Sequence, residues 1–283
     1  MLSVMTSSRD LPFGAAAASA LVIVLLAQAP AHAESASQWD VDIRAASRLI
    51  AATAKAGAAH YRIGVELQMD PGWHTYWRYP GDSGVAPTFD FSDSDNVRSA
   101  QVLYPAPHAI TDDSGTIIGY TDHVIFPVVV TPRDSAKPVR LKLDLQYAVC
   151  QKICVPSQGH HDLTLDSKPS DFDQDIAGAM VSVPKDVTPQ QAGLTIRRVN
   201  KNSKPLVAVD IATRDDVQIF AEGPTAEWAL PIPKPVEGAP PGHRQFGFAL
   251  DGLPPGADPK KPADLTFTIV DGNHAIQTTA HLD

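Results

Sequence analysis

The chain of 283 residues holds two cysteines, separated by three residues in Tyr147-Ala148-Val149-Cys150-Gln151-Lys152-Ile153-Cys154-Val155-Pro156, and no other thiol. A pair so spaced supports three chemistries. It can close as a disulfide staple, ligate a soft metal, or cycle between dithiol and disulfide. A fully extended Cx3C segment holds its Cα atoms about 13 Å apart, beyond the reach of a disulfide. One helix-like turn brings them to about 6 Å, within it. The segment between the cysteines is therefore expected to contain one turn.

Each chemistry makes its own demand on the surroundings. A passive staple across so small a loop contributes only about 2 kcal/mol in the chain-entropy model, against nearly 5 for a loop of about 100 residues. Metal ligation finds support in His160-His161 downstream, because thiolate and imidazole select Cu(I) or Zn. Neighbouring residues on a strand face opposite ways, so only one of the two histidines, with His160 as the candidate, can turn toward the cysteines. The redox reading fits best. Lys152 and His160 would supply positive charge near the pair, which lowers a thiol pKa and favours exchange.

The elements that must position the pair are strands. Tyr61, Ile63, Val65, Leu67 and Met69 alternate with polar residues or glycine, and so do Val139, Leu141, Leu143 and Leu145. Further strands are expected at Val124–Thr131, His161–Leu165, Gly193–Val199, Leu206–Ala212, Val217–Ala221, Gln245–Leu250, Leu265–Val270 and Ala275–His281. Their lengths and the Gly, Pro and Asp clusters between them predict an all-β chain. An immunoglobulin-like antiparallel β-sandwich is followed by a second, smaller β-sandwich-like domain. The alanine-rich stretch Ile43–Ala59 is expected to be helical, with a further helical turn near Asp173–Val181. The strand Val139–Val149 points its odd residues to the core. Cys150 then has solvent-side parity at the strand end, Pro156 interrupts the ladder, and His161–Leu165 returns as a hairpin partner. The expected organisation is a signal peptide at 1–33, a redox domain at 38–168, a linker at 169–189 and a second β domain at 190–283.

The N-terminus predicts export. Arg9 precedes the apolar run Leu21-Val22-Ile23-Val24-Leu25-Leu26, and Ala31-His32-Ala33 forms a small-x-small cleavage site. Cleavage after Ala33 removes one charge of each sign and leaves the net charge at -9. No later segment has the length of a membrane span, so no membrane insertion is expected after cleavage. An acidic chain without a basic stripe argues against nucleic acid as a partner. No organic cofactor is implied, since Gly115 and Gly119 lack the spacing of a phosphate loop. The Asp93/Asp95 and Asp112-Asp113 clusters read as turn residues.

Around the cysteines the chain resembles the periplasmic N-terminal domain of DsbD/ScsB-type thiol:disulfide interchange proteins. Tyr-Ala-Val-Cys-Gln-Lys-Ile-Cys-Val-Pro is similar to that family's YxVCxxxCxP signature. The likeness extends through the run from Pro71 to Gly84, through Pro87-Thr88-Phe89-Asp90-Phe91 and Tyr104-Pro105-Ala106-Pro107, and through Ile118-Gly119-Tyr120. It implies that Cys150 and Cys154 are the redox pair. They would receive electrons from a separate membrane-embedded thiol donor and pass them to periplasmic thioredoxin-like or disulfide-isomerase-like proteins. It also implies an aromatic cap over the pair, without saying which aromatic supplies it. Trp73, Tyr76, Trp77, Tyr147, Lys152, Pro156 and His160 are the candidates for lining the site or recognising the partner. For Trp73 and Trp77, ordinary core packing is an equal alternative. Cys154 is expected to be the attacking cysteine and Cys150 the resolving one. A copper-binding protein using the same cysteines with His160, and an interaction module with a structural disulfide, stay open beside this reading.

Overall fold

Alternating apolar and polar side chains let two sheets close on each other, and the described residues do this twice. The computed structural model describes residues 35–81, 84–112, 115–201, 204–213, 216–272 and 274–283. The expected signal peptide lies outside them. The first eleven strands are β1 Asp40–Asp42, β2 Ala45–Ala51, β3 Tyr61–Met69, β4 His74–Gly81, β5 Thr88–Asp90, β6 Val97–Val102, β7 His108–Asp112, β8 Gly115–Thr121, β9 His123–Pro132, β10 Val139–Cys150 and β11 Cys154–Leu165. One sheet runs β1-β2-β3-β9-β6. The other runs β11-β10-β4-β8-β7, with β5 also paired to β10. Every pairing in this half is antiparallel. Leu49, Ile63, Val65 and Phe126 from one sheet meet Trp77, Ile118, Leu141 and Leu145 from the other in a single buried cluster. This is the expected immunoglobulin-like sandwich.

The helix expected over Ile43–Ala59 is absent. Residues Ala45–Ala51 form β2, with Ala45, Ser47 and Leu49 buried and Ala46 and Arg48 half-buried. Alanine favours helix as an isolated residue, but strands β1 and β3 lie on either side and supply ladder bonds that local propensity cannot match. Arg48 confirms the cross-strand register, facing Glu66 on β3 with Nε–Oε2 at 2.6 Å.

After β11 the chain forms α1, Asp173–Val181, at the expected helical turn. Its Ile176 packs on Ile50 and Ile125, on the outer side of the first sheet. The remaining strands are β12 Lys185–Asp186, β13 Leu194–Lys201, β14 Lys204–Ile211, β15 Gln218–Glu222, β16 Lys234–Val236, β17 Arg244–Ala249, β18 Ala263–Asp271 and β19 His274–Leu282. They build two four-stranded sheets, β12-β19-β18-β15 and β13-β14-β17-β16. These close over Val207, Val209, Phe246, Phe248, Leu265 and Phe267. The strands predicted in this half are all present within a residue or two of their expected ends.

Cross-strand pairing places Phe220, Glu222, Thr268, Val270 and Gln277 on the face of the β12-β19-β18-β15 sheet turned away from that second core. Phe220 and Val270 instead join the core cluster of the first sandwich. The described residues form one compact unit.

Candidate functional site

β10 and β11 form a long hairpin in which Cys150 lies directly opposite Cys154. The two are joined by a disulfide, and their Cα atoms are 4.1 Å apart. The expected helix-like turn is therefore replaced by a tight hairpin reversal over Gln151-Lys152-Ile153, and both cysteines are strand residues rather than loop residues. Directly opposed positions on antiparallel strands are the closest cross-strand pairs, so the ladder itself brings the sulfurs into range.

Pro156 does not interrupt the ladder. It pairs with Ala148 inside β11, an edge strand of its sheet. The backbone N–H groups of Gln158 and His160 point away from β10, to the carboxylates of Asp42 and Asp40 at 3.4 and 2.8 Å. Position 156 shares their parity, so the missing proline donor would have faced outward and no ladder bond is lost.

The expected parity of Cys150 holds, but its exposure does not. Cys150 points to the outer face, away from the main core, yet it is only 2% exposed. Tyr76, Ile117 and Ala148 cover it in a small apolar cluster of their own. The Tyr76 hydroxyl donates to Cys150 Sγ at 2.9 Å and lies 3.5 Å from Cys154 Sγ. Cys154 itself is exposed. Cys150 is thus sealed and holds the shorter Tyr76 hydrogen bond, and Cys154 is the exposed member of the pair.

β4 and the segment after it build this cover. His74 stands opposite Cys150 in register, and its ring meets Tyr76 edge-on at 5.7 Å. Thr75 Oγ1 donates to the Ala148 carbonyl at 2.9 Å, tying β4 to β10. Gly84, at φ +124°, lays its backbone on the Tyr76 ring, and a Cβ there would stand 2.2 Å from Cε1. Only glycine combines that dihedral with that approach.

The other residues singled out in the sequence divide clearly. Trp73 and Trp77 are buried in the core of the first sandwich. Tyr147 is also buried in that core, and burial, reinforced by the Asp42 carboxylate, pushes its phenol up to about 12. Lys152 is exposed at the hairpin tip beside the exposed Ile153. Pro156 lies on the outer face and lines a groove of about 540 Å³ with Val85, Ala86, Gln146, Ala148 and Gln158. His160 turns outward to Asp144, with Nδ1–Oδ1 at 2.5 Å. It sits six residues along an extended strand from Cys154, about 20 Å at 3.3 Å per residue, which is too far to share a metal with the cysteines. His161 turns inward, Nε2 meeting Ser47 Oγ at 2.9 Å, and burial pushes its imidazole below the ordinary value. Among the described residues, no three His, Cys, Asp or Glu side chains are gathered to hold a metal ion.

Sequence reasoning passed over His74, Gly84, Ile117 and Ala148. Parity offered part of the signal, because His74 and Tyr76 share one face of β4 and Ala148 shares the face of Cys150.

Residues 44–166 match the family described as thiol:disulfide interchange protein DsbD, N-terminal. That match is to this stretch of the chain and takes in both cysteines. A solved structure, the N-terminal periplasmic domain of ScsB from Proteus mirabilis, superposes with a TM-score of 0.68 at 23% identity. That alignment covers 88% of this chain and 98% of the ScsB domain, so the fold is shared across both sandwiches. The adhesive subunit CfaE of the CFA/I fimbria of enterotoxigenic Escherichia coli aligns over 90% of this chain and 89% of its own, at 9% identity. Its TM-score of 0.14 is too low to bear on the fold. No curated protein sequence matches the chain. The matched residues run from β2 to β11 of the first sandwich and include the whole β10–β11 hairpin with its cysteine pair. Among the described residues no helix is long and apolar enough to cross a membrane.

Proposed function

We propose that the protein is a periplasmic dithiol/disulfide carrier whose exchanging pair is Cys150 and Cys154. The observation that carries this reading is the asymmetry of the pair. Cys154 is exposed, whereas Cys150 is buried and holds the shorter of the two Tyr76 hydroxyl contacts. A passive staple has no use for that difference, and it contributes only about 2 kcal/mol across so short a loop.

In the reduced protein the Cys154 thiolate attacks one sulfur of an acceptor disulfide. The acceptor S–S bond breaks, one acceptor sulfur leaves as a thiolate, and a mixed disulfide forms. The Cys150 thiolate then attacks Cys154 Sγ, the mixed disulfide breaks, and the second acceptor thiolate departs. The acceptor has gained two electrons and the pair is oxidised. A membrane-embedded thiol donor restores the dithiol by the reverse steps. The acceptors are thioredoxin-like or disulfide-isomerase-like proteins, which present an exposed disulfide of their own. The groove beside Pro156 and Ala148, with both polar and apolar walls, gives such a partner a shallow seat that begins two residues from Cys154.

The test is trapping in exporting cells. Cys150→Ser removes the resolving thiol and should accumulate a mixed disulfide through Cys154, while Cys154→Ser should accumulate far less. A pair that alkylation finds fully oxidised under all growth conditions, with no adduct in Cys150→Ser, would sink the carrier reading.

A further inference from the structure

Strand β4 serves two neighbours. Its first residues hold the disulfide, through His74, Thr75 and Tyr76. The next three grip the second sandwich. The Trp77 ring lies 5.9 Å from Phe220 on β15. Arg78 forms a two-pronged pair with Glu222 on β15, Nε–Oε1 at 2.9 Å and Nη2–Oε2 at 2.8 Å. It also donates to Gln277 on β19, and its guanidinium lies 4.3 Å over the Trp77 ring. The Tyr79 hydroxyl donates to the Leu230 carbonyl.

The ladder explains why this grip matters. β4 pairs with β8 in regular register from His74 to Tyr76, then slips, and the pairing resumes only at Gly81. Residues 77–80 therefore lack that regular support on the side of β8, immediately after the residue that touches the sulfurs. Their anchors to the second sandwich stand in for it. Tyr76 and Arg78 are two residues apart, so the backbone that aims one also aims the other.

We propose that Arg78 is a positioning residue for the exchange site. By fastening β4 to Glu222 and Gln277, the second sandwich holds the Tyr76 hydroxyl on Cys150 Sγ. This rests on the exchange reading above and gives the second sandwich a part in it. When an incoming thiolate attacks Cys154 Sγ, the Cys150–Cys154 bond breaks and its electron pair passes to Cys150 Sγ. The Tyr76 hydroxyl, already hydrogen-bonded there, stabilises the departing thiolate. Loosening Arg78 weakens that bond without touching either cysteine.

The experiment uses the full chain and dithiothreitol as the incoming thiol. Reduction rates are followed across pH, and the formation of Cys150 thiolate is followed in the reduced protein. Glu222→Gln and Arg78→Lys should each slow reduction about fivefold, the scale of one hydrogen bond, and raise the pH at which the thiolate forms. Tyr76→Phe should do the same, and Glu222→Gln combined with Tyr76→Phe should be no slower than Tyr76→Phe alone. Rates and pH profile unchanged in Glu222→Gln, or effects that multiply in the double variant, overturn the proposal. If Glu222→Gln does not fold, Gln277→Ala removes one partner of Arg78 and leaves the ion pair. A slower reduction that Tyr76→Phe abolishes supports the proposal, and an unchanged rate overturns it. Dithiothreitol needs no biological partner, so failure of the carrier reading shows as an absence of trapped adducts and leaves these rates interpretable.

Discussion

Tyr76 and His161 show how one side chain acquires a role from the atoms around it. In the sequence, Tyr76 is one aromatic among several in a run from Trp73 to Tyr79. In the fold it is the one whose hydroxyl reaches both sulfurs. His161 was half of a histidine pair with a possible metal role. It is instead a buried imidazole bonded to Ser47, with its pKa pushed down by burial. The sign of the consequence is clear. Well above about pH 6.5 the imidazole is neutral in folded and unfolded chains alike, and it adds no pH dependence. Below that value the unfolded chain binds a proton that the folded one resists, so stability falls with pH until the depressed folded pKa is reached. Denaturant titrations of His161→Gln between pH 7 and 5, taken as the working range for a histidine, should show a flatter slope than the wild type. Equal slopes would assign the acid sensitivity to other groups.

At the scale of elements, the hairpin β10–β11 and the helix α1 carry contrasting lessons. The hairpin is stabilised along its length by twelve opposed pairs, and the disulfide closes its last one. The helix has nine residues, no side-chain N-cap hydrogen bond and one buried residue, Ile176. So short a helix is marginal alone, and its order comes from docking on Ile50 and Ile125. Ile176→Ala should therefore cost about 2–4 kcal/mol, as for other buried isoleucines, and should release the helix along with the core contact. Hydrogen exchange in residues 173–181 would show this directly. Unchanged protection there would mean that the helix holds itself.

At the scale of the molecule, the two sandwiches share a buried contact rather than a flexible tether. Phe220, from the second, is fully buried in the core cluster of the first and lies against Trp77. Removing that ring leaves a cavity facing both halves. Phe220→Ala should cost about 3–5 kcal/mol, and chemical denaturation should still report one transition by tryptophan fluorescence and by circular dichroism. Two separated transitions in the wild type would show the halves to be energetically independent.

Much of this was written locally. The period-two runs placed β3, β9, β10 and most strands of the second sandwich, because alternation is a property of adjacent residues and of the pleat alone. The place of Cys150 at a strand end and its parity came from the same source. Three outcomes did not. Ala45–Ala51 is a strand because partners lie on both sides of it, and only the assembled sheet provides them. Cys150 is buried because β4, β8 and the backbone at Gly84 bring Tyr76 and Ile117 over it from 33 to 74 residues away in the chain. Arg78 meets Glu222 at a separation of 144 residues. Sequence patterns report what a residue prefers and which face it takes. Which distant group covers that face is settled only when the sheets close, and at Cys150 that closure makes two chemically identical cysteines unequal.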